Sequence, residues 1–291
     1  MTQQCGAVGF VGLGNIGKAM AMRLVARPGG VWVYDLATEP VAELAEAGAG
    51  VAASVADLAD RVELVCVMVR DDEQVRDVLG QLSDASRHEL VVAVHSTVAP
   101  HTPAELENIA AAGVRIVDAP VSGGAIGAAD GSLAIMVGGS EQAYRTCAEP
   151  FSWMGSEVLH AGPLGTGTRM KLARNLLHFA SFTAATEAQR LAEAAGVDLK
   201  DLGRVVRHTD LVTGGPGAIM HRDTTSTIGT DDFWFGVFDH VRMLGEKDLA
   251  LAVELAEDLG VDLPLARHAL HGLADGLGLP ATESDVAERS S

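Results

Sequence analysis

One stretch near the N-terminus leaves this chain few architectures. Ala7 to Val11 is a short apolar run that ends in Gly12-Leu13-Gly14-Asn15-Ile16-Gly17. An amphipathic helix pattern follows through Met20, Met22, Leu24 and Val25, and Val31 to Tyr34 is a second apolar run closing on Asp35. The order is strand, glycine loop, helix, strand, acid. Gly12 permits the tight turn, Gly14 lets the backbone approach a pyrophosphate, and Gly17 lets helix and strand pack closely, with the helix N-terminus facing the negative charge. Asp35 lies 18 residues beyond Gly17, where a carboxylate can accept the adenosine ribose hydroxyls. A glycine loop alone also suits a methyltransferase. With its flanks and its acid in place it reads as a dinucleotide site. A 2′-phosphate would meet Asp35 as a like charge, and Leu36-Ala37-Thr38 offers no arginine to receive it. NAD is therefore favoured over NADP.

The alternation continues. Helices are expected at Thr38 to Gly48, Ser54 to Asp60 with Ser54 as cap, Asp71 to Leu82, and Thr102 to Ala112. Strands are expected at Val62 to Val69, Leu90 to Val94, Val114 to Val117, Leu133 to Val137 and Glu157 to His160, with a helix from Glu141 to Met154. Strand and helix taking turns over short connections imply a mostly parallel sheet covered on both faces. Ligands then gather at the carboxyl ends of the strands. This places attention on Met68-Val69-Arg70, Ser96-Thr97 and the segment from Asp118 to Gly124.

At Gly165 the pattern changes. Glycines 165 and 167 punctuate, and no Gly or Pro appears for the 28 residues after Gly167. A long helix is expected there, with an apolar middle (Leu176, Leu177, Phe179, Phe182) that predicts burial. Further helices are expected at 199–208, 239–259 and 263–277. Asp210 to Gly236, rich in Thr, Gly and Asp, reads as a cover near a pocket, with Pro216 able to start a short helix. Ala281 to Ser291 reads as a loose polar tail. The fold class expected is α/β: a doubly wound domain of Rossmann type over residues 1–163, then an all-helical substrate and oligomerisation domain over residues 164–291, joined by the long helix.

Composition narrows the function. The net charge is −18, and no cluster of Lys and Arg supplies the basic stripe that nucleic acid would need. Cys5, Cys66 and Cys147 are scattered and odd in number, so neither a disulfide framework nor a metal knuckle is expected. No signal segment and no apolar window of membrane-spanning length is visible, which reads as a cytoplasmic protein. His268 and His271 lie three apart but lack a third ligand, so no metal is expected.

Two constellations carry chemistry. In Asp118-Ala119-Pro120-Val121-Ser122-Gly123-Gly124, the N–H groups of Ser122, Gly123 and Gly124 can converge on an anion, or the segment is a plain turn. Lys171 and Asn175 sit four apart on the long helix, about 5–6 Å between Cβ atoms. They are either a solvated pair on a first turn or an amine and an amide beside a reacting carbon. Only four lysines occur, which makes each informative.

Taken in order, Gly9 to Gly17, Asp118 to Gly124, Gly165 to Asn175 and Lys247-Asp248-Leu249 resemble the motifs of the β-hydroxyacid dehydrogenase family, which includes 3-hydroxyisobutyrate dehydrogenase and belongs to the 6-phosphogluconate dehydrogenase superfamily. The resemblance covers essentially the whole chain. It implies that Gly12, Leu13, Gly14, Asn15, Ile16 and Gly17 hold the dinucleotide and that Met68, Val69, Thr97 and Lys247 touch it. It also implies that Ser122, Gly123 and Gly124 hold a substrate carboxylate, that Asn175 contacts the substrate, and that Lys171 is the acid/base. The activity implied is an oxidoreductase acting on a small β-hydroxy acid or its semialdehyde, in a homodimer or homotetramer. Many members have Pro at Arg70 and a second Asn at Arg174, and the region from Asp210 to Arg242 matches poorly, so the resemblance does not carry substrate identity. The alternatives are an imine reductase-like member, in which the lysine is characteristically replaced, and a cofactor-binding member without turnover.

Overall fold

The structure, a computed structural model, describes residues 6–280. Cys5 and the expected tail from Ala281 to Ser291 lie outside the described residues. The chain divides into two compact units between Arg174 and Asn175.

The first unit is built on one nine-stranded sheet with the order β3-β2-β1-β4-β5-β6-β8-β7, and β9 beside β8. The strands are β1 (Val8–Val11), β2 (Val31–Tyr34), β3 (Gly50–Val51), β4 (Leu64–Val67), β5 (Leu90–Val94), β6 (Val114–Asp118), β7 (Val121–Ser122), β8 (Leu133–Gly138) and β9 (Gly155–Gly162). From β1 to β6 every pairing is parallel. Seven helices lie between the strands: α1 (Asn15–Val25), α2 (Thr38–Glu46), α3 (Val55–Ala59), α4 (Asp72–Ala85), α5 (Thr102–Ile109), α6 (Gly124–Asp130) and α7 (Glu141–Ser152). Leu64 and Cys66 of β4 face one core with Met20 and Leu24 of α1 and Phe151 of α7. Val65 and Val67, on the opposite face, pack with Leu58 of α3, Leu79 of α4 and Leu106 of α5. That two-sided apolar alternation is why the central strands read as continuous hydrophobic runs. This is the doubly wound Rossmann arrangement expected from the sequence.

The departures near β6 position the site. β6 pairs with β8 antiparallel at Asp118↔Gly138, and β7 continues in the same register at Val121↔Ile135 and Ser122↔Ala134. The Met136 N–H donates to the Pro120 carbonyl between them at 3.1 Å. β6 and β7 are thus one extended run, broken by the missing donor of Pro120. It carries Ser122 four residues past the end of β6.

The second unit is helical. α8 (Thr166–Ala194) begins in the first unit and runs into it, followed by α9 (Leu199–Thr213), α10 (Phe233–Leu259) and α11 (Pro264–Gly276). Pro216 sits in a short 3-10 turn, Gly215–Gly217, as its fixed φ allows. One expectation is corrected. The middle of α8 is not buried within the chain: Leu176 is 73%, Phe179 59% and Phe182 53% exposed. Apolar periodicity on every face reports that a helix needs cover, and it does not say which chain supplies it.

Candidate active site

The glycine loop after β1 has the geometry of a cradle. Gly12 holds φ at 93°, and a Cβ there would overlap the Met68 carbonyl. A Cβ on Gly17 would overlap the Gly12 carbonyl, so this glycine serves close approach of α1 to the loop. Gly14, at the N-cap of α1, has open space around it, and no side chain caps the helix. Its first N–H groups are therefore left for a ligand. A cavity of about 630 Å³ opens here, lined by the loop from Gly12 to Gly17 without Leu13, by Tyr34 and Asp35 at the end of β2, and by Met68 and Val69 after β4. Leu36, Val55 and Val78 add apolar wall. An uncapped helix end, an acid at the second strand and an apolar wall fit the pyrophosphate, ribose and adenine of a dinucleotide.

Asp35 already has two partners. Its Oδ2 accepts the Leu13 N–H at 2.5 Å and its Oδ1 the Ala37 N–H at 2.7 Å. Leu13 is buried and turns its N–H onto Asp35 rather than lining the cavity. Ser96, whose role the sequence did not reveal, fixes the opposite wall: its hydroxyl accepts the Val69 N–H at 2.9 Å and donates to the Val69 carbonyl at 2.7 Å. Thr97, next to it, is exposed and not among the lining residues. Lys247 lies on α10 in the second unit, exposed and paired with Asp248 at 3.1 Å.

The second constellation does come together. Lys171 is 8% exposed, and its Nζ donates to the Val121 carbonyl at 2.6 Å and to the Ser122 hydroxyl at 3.0 Å. Burial, and then the neighbouring Arg174 cation, hold its ammonium below the ordinary lysine range. Gly123 at φ 132° and Gly124 at φ 63° take backbone conformations that side chains disfavour, and they turn the run into α6. Both are exposed beside Ser122. Asn175, half-buried, lies one turn beyond Lys171 on α8 and is the first residue of the second unit.

Asp118 opens the motif that runs to Gly124, where the sequence alone assigns it no role. It is 1% exposed, and its two oxygens accept the N–H groups of Gly165 at 2.7 Å and Thr168 at 2.5 Å. Burial pushes its carboxyl up, against the pull of those two amides. The available signal was an acid ending an apolar strand. Among the described residues no group of three or more His, Cys, Asp or Glu could hold a metal ion.

The family model for the NAD binding domain of 6-phosphogluconate dehydrogenase matches residues 7–162. The model for the NAD-binding region of NADP-dependent 3-hydroxyisobutyrate dehydrogenase matches residues 165–286. An oxidoreductase of Mycobacterium tuberculosis, named as uncharacterized, is 49% identical over 97% of each chain. A crystal structure from Mycobacterium avium 104 is 53% identical, covers 94% of this chain and 99% of its own, and superposes with a TM-score of 0.91. The Mycobacterium tuberculosis 3-hydroxyisobutyrate dehydrogenase solved with L-serine is 27% identical over 98% of this chain and 99% of its own, with a TM-score of 0.64. The chain belongs to the β-hydroxyacid dehydrogenase family, among the relatives of 6-phosphogluconate and 3-hydroxyisobutyrate dehydrogenases, and is an oxidoreductase with an NAD(P)-binding domain.

Proposed function

We propose that this protein is an NAD-dependent dehydrogenase of a small β-hydroxy acid, or in reverse a reductase of the matching semialdehyde. The observation that carries the reading is the buried Lys171 amine, 3.0 Å from the Ser122 hydroxyl at the head of the Ser-Gly-Gly turn. Ser122, Gly123 and Gly124 hold the substrate carboxylate, Asn175 orients it, and the cavity from Gly12 to Val69 holds the dinucleotide. In oxidation the neutral Lys171 amine takes the hydroxyl proton as the carbon–oxygen double bond forms. In reduction the ammonium returns it. When bound, the dinucleotide accepts or supplies the hydride. Burial lowers the pKa of this amine, which eases its loss of a proton and so its action as a base.

Asp35 favours NAD, since its carboxylate accepts ribose hydroxyls and repels a 2′-phosphate. A relative solved with L-serine, itself a β-hydroxy acid, supports the substrate class. Lys171 favours this reading over an imine reductase or a member without turnover. In this reading residues 1–163 bind the cofactor, residues 164–291 shape the substrate pocket, and the protein works as a homodimer or homotetramer.

The test is a panel of small hydroxy acids and aldehydes followed by NADH and NADPH absorbance, with Lys171→Ala beside the wild type. The variant should bind NAD with nearly unchanged affinity and lose about 10²- to 10⁴-fold in kcat. Lys171→Arg keeps the charge but cannot give up its proton near neutral pH, so it should be nearly as slow. An Arg variant retaining most of its turnover would move the proton transfer to another group. Faster turnover with NADP than with NAD would overturn the cofactor assignment.

A further inference from the structure

The Lys171 amine is useful only if it stays within reach of Val121 and Ser122, and these come from distant parts of the chain. Lys171 belongs to the second turn of α8, while Val121 and Ser122 belong to β7, 49 or 50 residues earlier. What joins the two is the carboxylate of Asp118. On one side the backbone runs from Asp118 through Ala119 and Pro120 to Val121 and Ser122. On the other, the same side chain accepts the N–H groups of Gly165 and Thr168, and Thr168 is three residues ahead of Lys171. The first N–H groups of a helix have no intrahelical acceptor, so a carboxylate here both satisfies them and fixes where the helix starts.

The chain makes room for this contact. A Cβ on Gly138 would overlap Asp118 Oδ1, and a Cβ on Gly167 would overlap the Met136 carbonyl and approach the Asp118 carbonyl to 2.8 Å. Neither glycine holds a positive φ, so both serve space rather than conformation. Two side chains are missing where α8 seats on the ends of β6 and β8, and a buried acid fills the seat.

We propose that Asp118 is a positioning residue: its carboxylate clamps the first turn of α8 to the end of β6 and thereby holds Lys171 against Val121 and Ser122. The proposal rests on Lys171 as the acid/base for its consequence in turnover, but not for the clamp itself. Arg174 on α8 is the charged group that acts on Lys171 alongside its burial. It stays in place in every variant below.

The experiment reads Lys171 directly. Full-length protein with NADH bound is acetylated competitively over a pH series, and the rate at each lysine is followed by mass spectrometry, with exposed Lys200 as the internal reference. In Asp118→Asn one acceptor oxygen becomes an NH₂ group that faces a backbone donor. The clamp opens on that side, Lys171 gains hydration, and its titration should move up toward the ordinary lysine range. With the best substrate, kcat should fall by about 10- to 100-fold, the cost of misplacing a catalytic group by roughly an ångström. Cofactor affinity should stay within about twofold, since the glycine loop is untouched. Asp118→Glu keeps the charge and displaces the oxygens, and it gives the same reading if the Asn variant does not fold. A folded variant with a lower melting temperature but an unmoved Lys171 titration and wild-type kcat would reduce Asp118 to a structural cap and overturn the proposal. The failure of the acid/base reading looks different: Lys171→Ala would keep turning over, while the titration arm would still report on the clamp.

Discussion

His95 sits at the end of β5 with 1% of its surface exposed, parallel to the Phe10 ring at 6.3 Å and tilted against Phe151 at 5.0 Å. Its Nδ1 lies 2.7 Å from the Ala119 carbonyl, which can only accept, so Nδ1 carries the proton. Nε2 is buried and has no hydrogen-bond partner among the described residues. Burial lowers its pKa to about 4, against an ordinary value of 6.5. The sign follows. Between those values the unfolded chain binds more protons than the folded one, so stability is complete above about pH 7 and is lost as pH falls toward 4. The loss should reach on the order of 3 kcal/mol near pH 4. Urea midpoints measured at pH 7.5 and pH 5 should lie further apart for wild type than for His95→Asn. Asp118 titrates in both proteins and cancels. An equal separation in the two would clear His95 of the effect. None of this was legible in the sequence, where His95 is one polar residue after an apolar strand. The glycine loop and Asp35 were legible, because spacing along one short unit sets their positions. The partners of His95, Ser96 and Asp118 come from chain segments more than twenty residues away, which spacing cannot report.

At the scale of elements, periodicity located the long strands and helices, but it ended α9 five residues early and started α10 six residues late. It missed β3, β7 and α6, which span 2, 2 and 7 residues and are too short to show a period. It also missed how helices are seated. The Glu187 side chain, 4% exposed on α8, accepts the Leu265 and Ala266 N–H groups at 2.8 and 2.9 Å. Pro264 has no N–H, so these are the first donors of α11. A carboxylate 78 residues upstream does what a local Ser or Asp does for α3 and α4. Removing it in Glu187→Ala leaves two half-buried donors unpaired and should cost about 1–2 kcal/mol in denaturant unfolding. A change below about 0.5 kcal/mol, the size of an ordinary surface substitution, would mean that water takes over both donors.

The whole molecule shows an imbalance. The first unit buries two extensive cores, whereas among the described residues the buried cluster of the second unit has four members, Ile228, Phe238, Leu277 and Leu279. The same unit leaves Leu211 86%, Phe233 78% and Leu176 73% exposed. Single apolar residues on a surface are ordinary, whereas contiguous runs of them are where an interaction face is expected. A second copy is the occupant consistent with the proposed oligomer. Light scattering at micromolar concentration should give a mass of two chains or more. Phe179→Glu combined with Phe182→Glu should lower it by placing charges on that face. A wild-type monomer under those conditions would sink the proposal. The glycine loop is a different kind of surface. Asp35 ties it down through the Leu13 N–H. Its conformational entropy is therefore surrendered once, during folding, and not again at each encounter. In the proposed reading a dinucleotide then meets a loop already held in place, and less of its binding energy goes into ordering the protein.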